Sequence, residues 1–368
     1  MTYHSPNRKC FVEPIKKPKK LRPLRICVYD FETSQDTIVR EGITSHEVAF
    51  VSMRWTCTNC EDKKTNGTCQ ICLTKWSTSE RSKSWSWANC NNPLSEFVNF
   101  ALYGFKKNNK TLLFAHYGGR FDTHFVLQEL YKRRLAPKLI MTGLKIYDMS
   151  IRPNSKSSQL HFRDSYLIMQ TPLDSLKKTF NLDVEDKMFF PYLYCTRQNI
   201  NNKLDHLPPQ ETYSPSTMKP EKHVKFEEWY DKNKETPFNL AKSLAEYCEN
   251  DTLILLKAVL AMRKIFLKIT DGYEVLTNAY SVAGLAMTVY RTLFLKPTTI
   301  GIVPEGGYER CDKASDISIK LMEWLSHKRR VKIQHAGNGR EYKIENFKVD
   351  GYIAEENKVI EFLGIYYL

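Results

Sequence analysis

Apolar and polar positions change period several times along the chain, and each change marks an element. The run over about 24–32, LRICVYDFE, is apolar at most positions before its acids, as in a strand covered on both faces. A second strand is expected over Glu47–Trp55. After a cysteine-containing excursion, Trp85 and Trp87 alternate on the expected return strand. A helix is predicted over roughly 93–107, a short apolar strand over Thr111–Ala115, and a helix from about Asp122 to Arg134 after the Gly118-Gly119 turn. Strands follow near 138–149 and 159–168, then a short helix over 173–181. Residues 183–235, rich in Pro, Asn, Lys and Tyr, hold no period and read as a long, mostly irregular excursion offering basic contact surface. Leu240, Leu244, Leu253, Leu256 and Leu260 then recur near the helical period and predict a long helix over 239–268. Another helix is expected over 273–295. The last hundred or so residues change character, with a helix near 313–327 and short strands near 331–334, 341–345, 348–354 and 358–363. They read as a second, smaller α/β unit.

At 368 residues the chain exceeds what one core normally covers. The expected organisation is a flexible basic arm over 1–24, a main domain over 25–270 and a C-terminal α/β segment over 271–368. No apolar run approaches the roughly 18 residues that span a bilayer, so no membrane association is expected. The polar, basic start of the chain is unlike a secretory signal and points to an intracellular protein. A formal net charge of +14 favours a polyanionic partner, nucleic acid ahead of an anionic membrane. Lys16, Lys17, Lys19, Lys20, Arg22 and Arg25 cluster around two prolines. Such a run is compatible with a solvated tail, a non-specific DNA contact or a nuclear address.

The candidate chemistry begins at Asp30-Phe31-Glu32. On a strand, residues two apart share a face, so Asp30 and Glu32 project together while Phe31 turns away. Taken alone, the pair reads first as two solvated acids at a strand end. Two adjacent carboxylates also suit a hard divalent cation with oxygen ligands. A third acid, Asp122, opens a helix just after a strand and a Gly-Gly turn, where it also suits an N-cap. A fourth, Asp251, stands four residues after Tyr247 on the same helical face as Leu244, an inward face that an acid occupies only when paired or metal-bound.

Ten cysteines in a chain with no export signal favour reduced thiols or metal binding. Cys57-x-x-Cys60 and Cys69-x-x-Cys72 are separated by a short polar loop, the spacing of a tetrahedral Cys₄ zinc site. A structural zinc hairpin inserted over 55–76 is expected. Cys10, Cys27, Cys90, Cys195, Cys248 and Cys311 lack such spacing and read as core or incidental.

Asp-x-Glu on a first strand, Asp after a Gly-rich turn and Tyr-x-x-x-Asp on a late helix resemble the three motifs of the DEDDy 3′–5′ exonucleases. The wording of Val28–Thr33, Phe114–Leu130, Asp164–Leu182 and Glu246–Leu255 resembles the exonuclease domain of family B DNA polymerases of the organellar and viral, protein-primed type, and of Maverick/Polinton-like mobile elements among them. The resemblance covers about 25–368. It implies a ribonuclease H-like mixed sheet with flanking helices, within an overall α/β class. It also implies that Asp30, Glu32, Asp122 and Asp251 hold two Mg²⁺ or Mn²⁺ ions, which activate water and stabilise the leaving 3′ oxygen. Tyr247 would then orient the water, the substrate would be single-stranded 3′ ends of DNA, and a terminal protein primer would be a partner of the polymerase. Tyr117 stands where the family's second motif carries an Asn that helps position the DNA terminus, so it is expected to stack on a base instead. Arg120, Phe121, Lys177 and Lys178 are further candidate DNA contacts.

The residues from His335 to Phe362 also resemble these polymerases, and Asp350 and Glu361 fall on adjacent expected strands, fitting either a polar turn or a nuclease-like acid pair. The further carboxylate motifs of a polymerase palm are not found in the 368 residues. The expectation is therefore a nucleotidyltransferase by family whose own chemistry is removal of nucleotides. The competing expectation is a catalytically silent fragment that binds nucleic acid.

Overall fold

The computed structural model describes residues 11–16, 23–58, 60, 69, 81–105, 110–155, 157–302 and 314–364. The chain divides into two compact units, Lys17–Val289 and Met1–Lys16 together with Tyr290–Leu368.

The larger unit opens with β1 (Leu24–Arg40), β2 (Ile43–Cys57) and β3 (Ser82–Ser86), followed by α1 (Pro93–Tyr103), β4 (Lys110–Ala115) and α2 (Asp122–Lys132). With β5 (Lys138–Thr142), β6 (Lys145–Ile151) and β7 (Gln159–Asp164) it builds a seven-stranded sheet of order β3-β2-β1-β4-β7-β6-β5. β1, β4 and β7 run parallel, while β2 and β6 are antiparallel to their neighbours. This is the mixed sheet of a ribonuclease H-like fold, in the α/β class expected. On one face, Tyr29, Phe31, Phe97 and Phe162 make an aromatic cluster of tilted and edge-to-face rings beneath α1 and α2.

The opposite face is covered by a later helix. The chain passes through α3 (Tyr166–Met169), α4 (Leu173–Phe180), β8 (Lys203–Leu204), α5 (Pro220–Asn233) and β9 (Phe238–Asn239) into the 30-residue α6 (Leu240–Ile269). Asn239 caps α6 by accepting from Lys242 N–H at 3.1 Å. Its buried stripe includes Leu240, Leu244, Tyr247, Cys248, Asp251, Leu255 and Val259, spaced three and four apart. Two contacts fix its register over the sheet: Ser52 Oγ with Thr252 Oγ1 at 2.9 Å, and Arg54 Nε to the Glu249 carbonyl at 3.3 Å. α7 (Val282–Leu293) spans the division between the units.

In the smaller unit, α8 (Asp316–Arg329) precedes β10 (Gln334–His335), β11 (Tyr342–Ile344), β12 (Phe347–Val349), β13 (Gly351–Ile353) and β14 (Lys358–Ile360). β10, β13 and β14 form one small sheet, β11 and β12 a hairpin, and Met322, Ile333 and Ile353 the core. Phe362 N–H donates to Asp350 Oδ2 at 2.8 Å, so this carboxylate, just before β13, ties down the chain that leaves β14. Phe11–Lys16, within the segment expected as an arm, carry backbone hydrogen bonds from Val12 to Ile300 at 2.8 Å and from Ile15 to Arg291 at 3.0 Å.

Four features differ from the pattern-based expectation. β1 does not end at the acids but runs on to Arg40 as a ribbon with β2, because neither strand meets a breaker before Gly42. The strand expected over 138–149 is a hairpin, β5–β6, turned at Gly143, whose φ of 57° is the left-handed region open to glycine. The stretch expected to be mostly irregular contains α5, started by Pro220 and held by Phe226 against Tyr213, Trp229 and Tyr230. Arg25, counted with the basic arm, is instead fully buried in β1, with its guanidinium 4.0 Å over Phe105 and bonded to Thr111 Oγ1 at 2.8 Å.

Candidate active site

Pairing between β1 and β4 stops at Val28–Phe114. Beyond it β1 keeps only β2 as a neighbour, with a bulge between Glu32 and Thr33. Asp30 and Glu32 sit in this step, half-buried, on the face toward α6, while Tyr29 and Phe31 point into the aromatic core. The location follows the general rule for open α/β sheets, with a crevice at the carboxyl ends of parallel strands.

α6 brings Tyr247, Cys248 and Asp251 to the same place. Asp30, Glu32, Tyr247 and Asp251 line a cleft of about 370 Å³ together with His116, Tyr117, Asp174, Lys187 and Tyr192. Burial, then the nearby Asp251 charge, pushes the Asp30 carboxyl up to about 7. Burial and Asp30 push Glu32 well above the usual carboxylate range. Burial raises Asp251 as well, although Lys187 Nζ bonds its Oδ2 at 2.5 Å. Its other oxygen, Oδ1, is buried without a partner. A site with three acids held in this way and an orphaned carboxylate oxygen fits a divalent cation.

Asp122 lies at the first turn of α2 and is buried; its Oδ1 accepts from Phe31 N–H at 3.2 Å. Burial and the Asp30 charge raise it well above the carboxylate range, so it belongs electrostatically to the same cluster. The turn before it is tight. A Cβ on Gly119 would come within 2.2 Å of the Ile146 carbonyl oxygen, and Ile146 N–H donates to the Gly119 carbonyl at 2.9 Å. Tyr117 adopts φ 62°, is 43% exposed and stacks on Tyr166 with centroids 3.9 Å apart. Arg120 is exposed, and Phe121 packs against His46 and Phe125. Lys177 pairs with Asp186 at 2.8 Å and Lys178 is exposed on α4; neither lines the cleft.

The sequence reading missed several neighbours of the acids. Burial opposes the Lys187 charge, but Asp251, Tyr192 and Asp30 outweigh it and hold the ammonium protonated. Its Nζ lies 4.8 Å from the Tyr247 ring, and Tyr192 OH meets Tyr247 OH at 2.5 Å. Both residues come from the aperiodic excursion, where no spacing signals them. His116 is neutral, lowered to about 4 by burial, with Nε2 donating to the Thr171 carbonyl at 2.9 Å. Cys248, expected to be core or incidental, is a core residue whose Sγ also lies 3.5 Å from Asp30 Oδ2.

A family model described as DNA polymerase type B, organellar and viral, matches residues 103–329. The chain belongs to this family. Two curated relatives, each named probable DNA polymerase, are 28% identical to it. The one from Neurospora intermedia matches over 189 residues, 50% of this chain and 19% of that protein; the one from Podospora anserina over 156 residues, 42% and 12%. The matches thus span about a fifth or less of these relatives. Among solved structures, phi29 DNA polymerase with primer-template DNA and incoming nucleotides aligns over 69% of this chain and 33% of that one, at 17% identity and a TM-score of 0.37. The family B polymerase of Pyrobaculum calidifontis aligns over 90% and 32%, at 12% identity and a TM-score of 0.33.

A second cluster lies at the far end of β2. Cys57 Sγ stands 3.4 Å from Cys60 Sγ and 3.6 Å from Cys69 Sγ, all three buried. Thr58 N–H ties the segment to the Leu24 carbonyl at 3.0 Å. Cys72 lies outside the described residues. Among the described residues, no helix is long and apolar enough to cross a membrane.

Proposed function

We propose that this chain carries the 3′–5′ exonuclease site of a family B DNA polymerase. The observation that carries the reading is the convergence of Asp30, Glu32, Tyr247 and Asp251 on one cleft, with Asp251 Oδ1 buried and unpaired. Asp30, Glu32, Asp122 and Asp251 would hold Mg²⁺ or Mn²⁺, which when bound supplies water activation and charge neutralisation for phosphodiester hydrolysis. Tyr247, restrained by Tyr192, presents its hydroxyl toward the cleft and would orient the attacking water. Lys187 supplies a fixed positive charge for the phosphate. The exposed Tyr117–Tyr166 stack is a surface on which a terminal base can lie. The product would be a deoxynucleoside monophosphate, and the partner a single-stranded 3′ end. In the longer polymerases of the family, a terminal protein primer would be a further partner.

One observation supports the competing reading, a silent DNA-binding fragment. Lys187 already neutralises Asp251, so part of the acid cluster is balanced without an ion. A 5′-labelled single strand with Mn²⁺ separates the two, beside the Asp30→Ala/Glu32→Ala variant. Shortening in the parent protein alone supports the exonuclease; binding without shortening supports the silent fragment. The Cys57, Cys60 and Cys69 thiols, with Cys72 from the sequence, would hold one structural zinc.

A further inference from the structure

A sulfur lies buried behind the carboxylates that line the cleft. Cys248 is fully buried on α6, one residue after Tyr247, and its Sγ lies 3.4 Å from the Asp30 carbonyl oxygen and 3.5 Å from Asp30 Oδ2. One ligand atom each from Asp30, Glu32 and Cys248 lie within 4.8 Å of one another. A tetrahedral ion bound to sulfur and oxygen holds its ligands roughly 3.5 Å apart, so small side-chain shifts close this set around one cation. The unpartnered Oδ1 of Asp251, a residue only 2% exposed, lines the same cleft and offers a fourth donor.

We propose that Asp30, Glu32 and Cys248 form a mixed carboxylate–thiol site that captures soft divalent cations, Zn²⁺ and Cd²⁺, in competition with Mg²⁺ or Mn²⁺. Hard ions take the oxygens and leave the thiol as a donor to Asp30. Soft ions also take the sulfur, with the thiol proton released to solvent. A soft ion so held sits deeper, against α6, and has fewer positions open for water and phosphate. Zinc and cadmium therefore act as inhibitors at this cleft. The inference rests on the reading that Asp30 and Glu32 bind metal, and its test separates the two.

The full chain, with its hairpin cysteines loaded with zinc, is titrated with Cd²⁺ and followed by thiolate-to-metal ultraviolet absorption and by ¹¹³Cd NMR. Mn²⁺ binding is followed by electron paramagnetic resonance. The expected result is a Cd²⁺ resonance between the all-oxygen and all-thiolate positions, together with an absorption band that Cys248→Ser abolishes while Mn²⁺ binding persists. Observation of the intermediate resonance in the unmutated protein guards against a variant that fails to fold. Identical cadmium spectra for parent and Cys248→Ser, with Mn²⁺ still bound, would overturn the thiol site and leave the metal reading standing. Loss of Mn²⁺ binding in the parent itself would overturn both.

Discussion

Replacement of Lys187 by Met removes the cation bonded to Asp251 and retains most of the length of the side chain. The Asp251 side chain is 3% exposed and that of Lys187 23%. Removing one partner of a buried pair costs about 3–5 kcal/mol. The partial exposure of Lys187, and the ability of Asp251 to take up a proton, place this case at the lower end, about 3 kcal/mol. For a unit of this size that corresponds to a fall in melting temperature of about 6–12 °C in chelator. The same substitution removes the positive charge that acts on Asp30, Glu32 and Asp251, so Mn²⁺ should recover most of the loss. A ligand at a hundred times its dissociation constant stabilises by about 2.7 kcal/mol. The assay is thermal unfolding of parent and Lys187→Met in EDTA and in Mn²⁺. A change within about 0.5 kcal/mol in EDTA would show that Lys187 behaves as an ordinary surface residue. A large loss that Mn²⁺ leaves unaltered would refute the idea that lysine and cation balance the same charge.

Three other outcomes follow from the structure. In metal-free protein, Asp30 rises from 3.8 to about 7, so the folded state holds its proton more tightly than the unfolded state across that window. Stability should therefore fall as pH rises from about 4 to about 7, and the Mn²⁺-induced rise in melting temperature should be larger at about pH 8 than at about pH 5; a shift independent of pH would contradict this. Gly119→Ala should destabilise by about 1–3 kcal/mol in urea unfolding, because the new Cβ meets the Ile146 carbonyl at 2.2 Å and the turn must open; a neutral effect would mean that the turn relaxes freely. Elemental analysis should find that Cys57→Ser, whose thiol lies within 3.6 Å of both Cys60 and Cys69, lowers the zinc content by one ion per chain; unchanged zinc content in the variant would remove the cluster assignment.

The acids were legible because each stands beside a local signal: Asp30 and Glu32 on a strand, Asp122 after a Gly-Gly turn, Asp251 in the helical period of Leu244 and Tyr247. These signals come from short-range geometry. Lys187 and Tyr192 had no such signal, since their contacts with Asp251 and Tyr247 span 64 and 55 residues and depend on a non-periodic segment folding under α6. Arg25 misled for a related reason. Its charge matches the lysine run before it, and only the sheet register, which sets it beside Thr111 with Phe105 beneath, shows why it is inside. Cys248 was unremarkable by spacing and became a neighbour of Asp30 only through the docking of α6 on β1.

The exonuclease reading is tested most directly by the direction and product of DNA breakdown. A single strand labelled at its 5′ end should shorten one nucleotide at a time in Mg²⁺ or Mn²⁺ and release deoxynucleoside 5′-monophosphates. A 3′-terminal phosphorothioate should slow this shortening, and Asp30→Ala/Glu32→Ala should abolish it. Tight binding of the strand with no metal-dependent monophosphate release, or release from the 5′ end, would contradict it.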